Sequence, residues 1–359
     1  MRVRTTVSAT TAALLILVGA TAEADADAGV RPLPAPAGAR QAAGIGMSAT
    51  GLIHGVVLTD AGSRAVTWRG GERVDLEPEG VNSLVHEGND LDQVVGYREV
   101  DGVRHAVLWS AGRRVDLTPA GAVDSAAVDV NNRGEVLVSS VDADDDRRLS
   151  LWRAGTWRTV VESPSAYFGS LGAGGDVTYT ADGTAYLARP GRAPVAIGAG
   201  TPVDVNASGQ VLVAAEGKLL LWSAGRTTDI GSLGGGQTHI PVSQEGSGPW
   251  LSDSGQVVGQ SSTADGRSHA FSWQRRVMTD LTPGADSGAA FAVNRTGTVT
   301  VTEFAPVPKL SLWRRGTAEV LPLPTGGNPF GSALHPFLPW TGGTIVSTTA
   351  PESTAYEWR

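Results

Sequence analysis

The feature that most restricts this chain is a short polar turn that recurs at a nearly constant step. Glycine closes the turn at Gly51, Gly134, Gly175, Gly209, Gly255, Gly297 and Gly343, and Asp92 takes its place in the second copy. Successive steps are 41, 42, 41, 34, 46, 42 and 46 residues. The closing position calls for positive φ, which glycine adopts without a Cβ clash. Ser48, Asn89, Asn131, Asn206, Ser252 and Asn294 stand three residues earlier, where a short polar side chain bonds the backbone two residues on.

A second marker keeps the same period. Trp68, Trp109, Trp152, Trp222, Trp273, Trp313 and Trp358 follow the turns, with Ala188 in the missing place. Two independent markers with one period indicate a repeated supersecondary unit. The best-formed copy, Ser252 to Trp273, reads as a turn, an apolar strand Gln256–Gly259, a second turn at Ala264–Gly266 and a returning strand His269–Trp273. A strand before the turn (Ala126–Val130, Ala290–Val293) and one after the tryptophan (Arg73–Leu76, Arg114–Leu117, Thr279–Leu281) complete four. Beyond the N-terminal segment no stretch holds a 3.6-residue apolar period. Four short antiparallel strands repeated in this way predict an all-β chain, a single β-propeller of about eight four-stranded blades, or seven if the weak fourth copy merges.

The third strand shows how the blades should pack. Three residues before each tryptophan position stand Ala65, Ala106, Leu149, Ala185, Leu219, Ala270, Leu310 and Ala355, all apolar. One residue earlier, all are polar, from Arg64 and His105 to Lys309 and Thr354. Strand side chains alternate faces, so the apolar row turns to one neighbouring blade and the tryptophan wedges against the next. The last copy stops after its third strand, and Val30-Arg31-Pro32-Leu33-Pro34 resembles the fourth strand of the seventh copy, Val320 to Pro324. The N-terminal strand is therefore expected to complete the last blade and remove an open edge.

Residues 1–28 read as a secretion signal, with Arg2 and Arg4 before the apolar run Ala12–Val18. That run is too short to span a bilayer, which takes roughly 20 apolar residues. The propeller domain then occupies residues 29–359. There are no cysteines, so no disulfide framework supports the fold. Net charge is −8, and loss of Arg2 and Arg4 makes it more acidic by two. Such a balance without basic runs argues against nucleic acid and against anionic membrane surfaces.

His269-Ala270-Phe271, preceded by Ser254-Gly255-Gln256-Val257-Val258-Gly259 and followed by Met278-Thr279-Asp280-Leu281, resembles the HAF repeat of bacterial extracellular proteins. Asp229 to Gly236 is similar to that repeat's Asp-Leu-Gly-Thr-Leu-Gly-Gly tail, and His105-Ala106-Val107 is a weaker copy. The resemblance covers most of residues 42–359, closely over 206–283. It implies an extracellular location and brings no catalytic residues.

The search for reaction chemistry finds no catalytic residues. There is no nucleophile elbow in a strand–helix context, no zinc-protease helix and no phosphate loop. His105 and His269 are repeat-equivalent and read as structural. Two long segments, 231–250 and 325–340, carry the candidate ligand contacts His239, Gln244, Glu245 and Trp250, and Asn328, His335 and Trp340. Both read as connections from a fourth strand to the next first strand. Asp142, Asp144, Asp145 and Asp146 form an acidic turn that reads either as a solvated turn or as a Ca²⁺ site. An acid recurs between second and third strands in every copy, from Asp60 to Glu352. These readings predict a secreted, monomeric, non-enzymatic binding module for an extracellular protein or glycan, with no membrane contact after signal cleavage. The competing reading is a propeller enzyme, such as a polysaccharide lyase or glycosidase, which needs carboxylates converging at the channel.

Overall fold

The structure, a computed structural model, describes residues 29–359 apart from 242–247, 325–326 and 347–352. The expected signal, residues 1–28, lies outside the described residues. Among the described residues all regular structure is β, in 32 strands. They form eight four-stranded antiparallel units, spanning 39–75, 83–116, 122–162, 167–199, 201–229, 234–280 and 287–321, with the eighth made of 328–358 and residues 30–32. We number these blades 1 to 8. Within each, the first strand is innermost and the fourth outermost. The inner strands of blades 1 to 5 touch in succession, as do those of blades 7, 8 and 1, while the inner strand of blade 6 meets the third strand of blade 5; an outer strand such as Arg113–Asp116 is exposed along its length.

The N-terminal strand Val30–Pro32 pairs antiparallel with Ser353–Trp358, setting Val30 opposite Trp358 and Pro32 opposite Tyr356. Arg31 reaches the buried carboxylate of Glu357, which Arg359 also meets. Blades 8 and 1 also join directly: Gln41 bridges Ser353, and Ser332 Oγ donates to Gly44 O at 2.7 Å.

The apolar row of the third strands is the densest part of the core. Ala65, Ala106, Leu149, Ala185, Leu219, Ala270, Leu310 and Ala355 are each at most 1% exposed. The tryptophans pack against the preceding blade rather than the following one. Trp109 of blade 2 lies with Ala65 and Leu76 of blade 1, and Trp222 of blade 5 with Ala185 and Leu187 of blade 4. Trp68 of blade 1 lies with Leu33, Ala333 and Ala355 of blade 8. Their indole N–H groups follow the same direction: Trp68 donates to Pro34 O, Trp109 to Glu77 Oε1 and Trp358 to Pro322 O.

The polar residue before the apolar row binds the outer strand. Arg64 faces Asp75, Arg148 faces Glu162, Lys218 faces Asp229, and His269 Nδ1 meets Asp280 Oδ2 at 2.7 Å. His269 is 4% exposed, and its Nε2 faces Ala285 O. The histidine of the HAF-like segment is thus a clasp between strands.

The turns after the first strands carry the repeated asparagine. Asn89, Asn131, Asn206 and Asn294 each accept two backbone N–H bonds of their own turn through Oδ1. Each also donates through Nδ2 to a carbonyl of the next blade: Asn131, Gly172, Ser252 and His335. Asp92, the non-glycine closer, adopts φ 57. Gly343 does not close a turn. It lies within the strand Thr341–Val346, and the eighth turn is the longer 335–340.

A candidate site in the central channel

The inner strands run toward the face that carries the asparagine turns, and their ends enclose a cavity of about 410 Å³. Its wall is built mostly from small and apolar residues, among them Gly46, Gly88, Val128, Gly169 and Leu334. Four carboxylates interrupt this wall: Asp90 at the mouth and, deeper, the three of Glu87 in blade 2, Asp129 in blade 3 and Asp204 in blade 5. Each of the deeper three stands two residues before a turn asparagine, so these three occupy one level of the channel.

Two of these acids also join blades. Asp129 Oδ2 accepts the Leu171 N–H of blade 4 at 2.6 Å. Asp204 Oδ2 accepts the Trp250 and Leu251 N–H groups of blade 6, both at 2.9 Å. Both side chains keep some contact with the channel and are enclosed by protein elsewhere. Enclosure, reinforced by the charge of Glu87, pushes Asp129 up to about 8, against the opposing bonds from Leu171 and Val130. Enclosure likewise pushes Asp204 up to about 6, although three backbone N–H bonds favour its ionised form.

His86 lines the same wall, with Nδ1 at 3.0 Å from Ala127 O. Burial lowers its pKa, which the Ala127 carbonyl only partly offsets. Behind Glu87 lies His54, 2% exposed, whose Nε2 is 3.6 Å from Glu87 Oε1 and has no hydrogen-bond partner. A side chain on either Gly46 or Gly88 would strike the His54 ring, which explains why both positions are glycine. Arg295 of blade 7 crosses the mouth to Asp90 of blade 2 at 2.8 Å, with Phe337 against its guanidinium.

The sequence-predicted contacts are divided by this geometry. Trp250 lines the cavity. Gln244 and Glu245 lie outside the described residues. His239 is exposed on the inner strand of blade 6 and bonds Gln260 Oε1 at 2.7 Å. Asn328 opens the inner strand of blade 8, at the end opposite the asparagine turns. His335 and Trp340 belong to the turn that follows it. His335 is turned into that turn, its Nδ1 accepting the Phe337 and Leu338 N–H groups. The two long segments are therefore not fourth-to-first connections. Each contains an inner strand, Gly234–His239 or Asn328–Leu334, and the extra length follows that strand.

The acidic turn of blade 3 is closed on itself. Asp142 Oδ1 accepts the N–H groups of Asp144 and Asp146 at 3.0 and 3.1 Å, and Asp145 has φ 66. Among the described residues no group of three or more His, Asp or Glu side chains is placed to hold a metal ion. Glu352 lies outside the described residues, and other acids between second and third strands serve their turns or pair nearby. Asp101-Gly102, Asp182-Gly183 and Glu216-Gly217 have positive φ at both positions, the geometry of two-residue hairpin turns. Asp60 pairs with Arg40, and Glu303 with Lys309.

The channel carboxylates were missed by motif search because they belong to no motif. A usable signal existed in the repeat frame: an acid inside an apolar run, as in Val128-Asp129-Val130 and Val203-Asp204-Val205, at a fixed offset from the turn asparagine.

No family model matches the sequence, and no curated protein matches it. Solved structures do. A puromycin-hydrolysing peptidase of Mycobacterium tuberculosis aligns with TM-score 0.55 and 14% identity, over 88% of this chain and 61% of that one. The chain is a β-propeller. Prolyl oligopeptidase B of Galerina marginata aligns with TM-score 0.52 and 10% identity, over 89% of this propeller and 54% of that chain. The propeller thus spans about three-fifths and about half of those two chains. The β-propeller domain of the Trilobed protease of Pyrococcus furiosus aligns at 0.46 and 8% identity, covering 90% and 94%. For the first two, identities this low speak for shared fold alone.

Proposed function

We propose that the protein is an exported, non-enzymatic binding module whose ligand enters the channel mouth on the face of the asparagine turns. The observation that carries this reading is the cavity of about 410 Å³, bounded by mixed apolar and charged side chains. Small-molecule sites occupy roughly 300–1,000 Å³ and combine an apolar wall with a few placed polar groups. Binding is favoured over catalysis by the commitments of the polar groups. Asp129 and Asp204 each give an oxygen to inter-blade N–H bonds, and His86 Nδ1 faces a carbonyl. A lyase or glycosidase needs carboxylates free to exchange protons with substrate. The signal-like N-terminus and the HAF-like segments support an extracellular location.

The absence of cysteine makes a direct test possible. Ala173 is exposed and lines the mouth, whereas Ala264 is exposed on a turn between second and third strands. Ala173→Cys and Ala264→Cys, each carrying an environment-sensitive dye, are titrated with primary amines, neutral sugars and small carboxylates. A saturable signal at position 173 alone is expected. Silence at 173 for every compound overturns the reading.

A further inference from the structure

We propose that the channel mouth selects an organic ammonium ion, a protonated amine carried on a small apolar body; this rests on the binding reading above. The first ground is a set of acids without a basic partner. Glu87, Asp129 and Asp204 share one level of the cavity wall. The only Lys or Arg side chain lining the cavity among the described residues is Arg295, and it is engaged with Asp90 at the mouth. Burial lowers His86, which therefore supplies no steady counter-charge. The fold thus holds three acids in a narrow space and gives them no cation. Such an arrangement favours any ligand that brings one.

The second ground is independent of charge. His54 is buried at 2% exposure and its Nε2 has no hydrogen-bond partner. Glu87 Oε1, at 3.6 Å, is beyond hydrogen-bond reach. A buried imidazole nitrogen without a partner is costly. In the tautomer with hydrogen on Nδ1, Nε2 is an acceptor beside the Glu87 carboxylate, packed against Gly46 and Gly88 of the cavity wall. A cationic group bonded to Glu87 at that wall sets positive charge beside the unpartnered nitrogen. An ammonium ion has three donors and a hydroxyl has one.

Geometry separates an organic cation from a metal ion. The carboxylates converge on one cavity but form no metal-holding group. An organic cation can bond one carboxylate and lie within the field of the others. Blade 6 lies across the eight-bladed ring from blade 2, and its Trp250 supplies an aromatic wall for the apolar part of the ligand.

The probe is benzylamine, compared with its neutral counterpart benzyl alcohol, by calorimetry on the chain without residues 1–28. Benzylamine is expected to bind at least about tenfold more tightly. Its binding near pH 7 should release protons, seen as a dependence of the heat on the buffer's ionisation enthalpy. The titratable and charged groups facing Asp129 are Glu87, Asp204 and His86, with the Asp90–Arg295 pair at the mouth and His54 behind Glu87. Glu87→Gln and Asp129→Asn keep an acceptor oxygen for the Gly88 and Leu171 N–H groups, so both should melt as folded proteins. Each should weaken benzylamine more than benzyl alcohol. Equal binding of the two probes, or selectivity surviving both substitutions, overturns the inference. If benzylamine fails while the label at position 173 answers to a sugar or carboxylate, the ammonium inference falls and the binding reading stands. If no compound moves that label, both fall.

Discussion

Arg295 donates to Asp90 at 2.8 Å although the two are 205 residues apart in sequence and belong to blades separated by two others. Asp90 is the better anchored of the pair. It also accepts the Ala49 N–H of blade 1 and the Asn132 Nδ2–H of blade 3, and donates its own N–H to Asn132 Oδ1. Removing Asp90 therefore breaks joints between three turns, whereas removing Arg295 loses one partly exposed ion pair. Asp90→Ala should cost about 2 kcal/mol in urea denaturation, and Arg295→Ala less than about 1 kcal/mol. Equal costs would show that the mouth is held by Arg295 instead.

The N-terminal strand should be indispensable to stability. Val30 is 3% and Leu33 2% exposed, and Pro34 O accepts the Trp68 indole N–H. Deleting residues 29–36 exposes the third strand of blade 8 and part of the Trp68 pocket. A fall in melting temperature of several degrees is expected, and Leu33→Ala alone should cost about 2–4 kcal/mol. Calorimetric melting of both variants is the check.

Stability should depend on pH through Asp129. Its pKa rises from 3.8 in an ordinary chain to about 8 in the fold, so the folded state holds a proton that the unfolded chain has released. The stabilisation is complete below 3.8 and is lost as pH rises toward about 8, with no further change above that. Asp204 adds the same trend up to about 6. Urea midpoints of the unmodified protein should therefore fall between about pH 5 and pH 8 relative to Asp129→Asn. Parallel curves for the two proteins would place Asp129 in an ordinary environment.

The turns allow a test in both directions. Gly255 has φ 78, and Gly255→Val should cost more than about 1 kcal/mol. Asp92 has the same conformation, yet its carboxylate accepts bonds from Ser48, Thr50 and Arg69, so Asp92→Gly should destabilise rather than help. Arg275 and Arg276 hold φ 52 and 66 in a two-residue turn where most other blades place glycine second. Arg276→Gly should stabilise by about 0.5–1 kcal/mol, read from the midpoint of chemical denaturation.

The eightfold plan was legible because its markers are backbone demands and large side chains. A positive-φ turn admits few residues, and tryptophan in a fixed place must be buried somewhere. The direction of that burial was not legible, since strand alternation gives a face and not which neighbour lies there. The second-to-third and third-to-fourth turns differ in the same way. Asp101-Gly102 is recognisable by its sequence, whereas Ala111-Gly112 and Ala224-Gly225 adopt the same geometry with an alanine that gives little warning. The channel acids were hidden for another reason. Asp129 and Asp204 sit where an inner strand should be apolar, and only the assembled ring reveals that these positions face a common space.

The backward packing of the tryptophans sets an order of completion. Blades 2 to 7 each pack their tryptophan position on a blade that precedes them in the chain. Blade 1 has no predecessor until the far end of the chain arrives, because Trp68 needs Ala333 and Ala355 as well as Leu33. The first full blade of the chain is therefore the last to be sealed, and its apolar face stays open until the eighth blade closes on it.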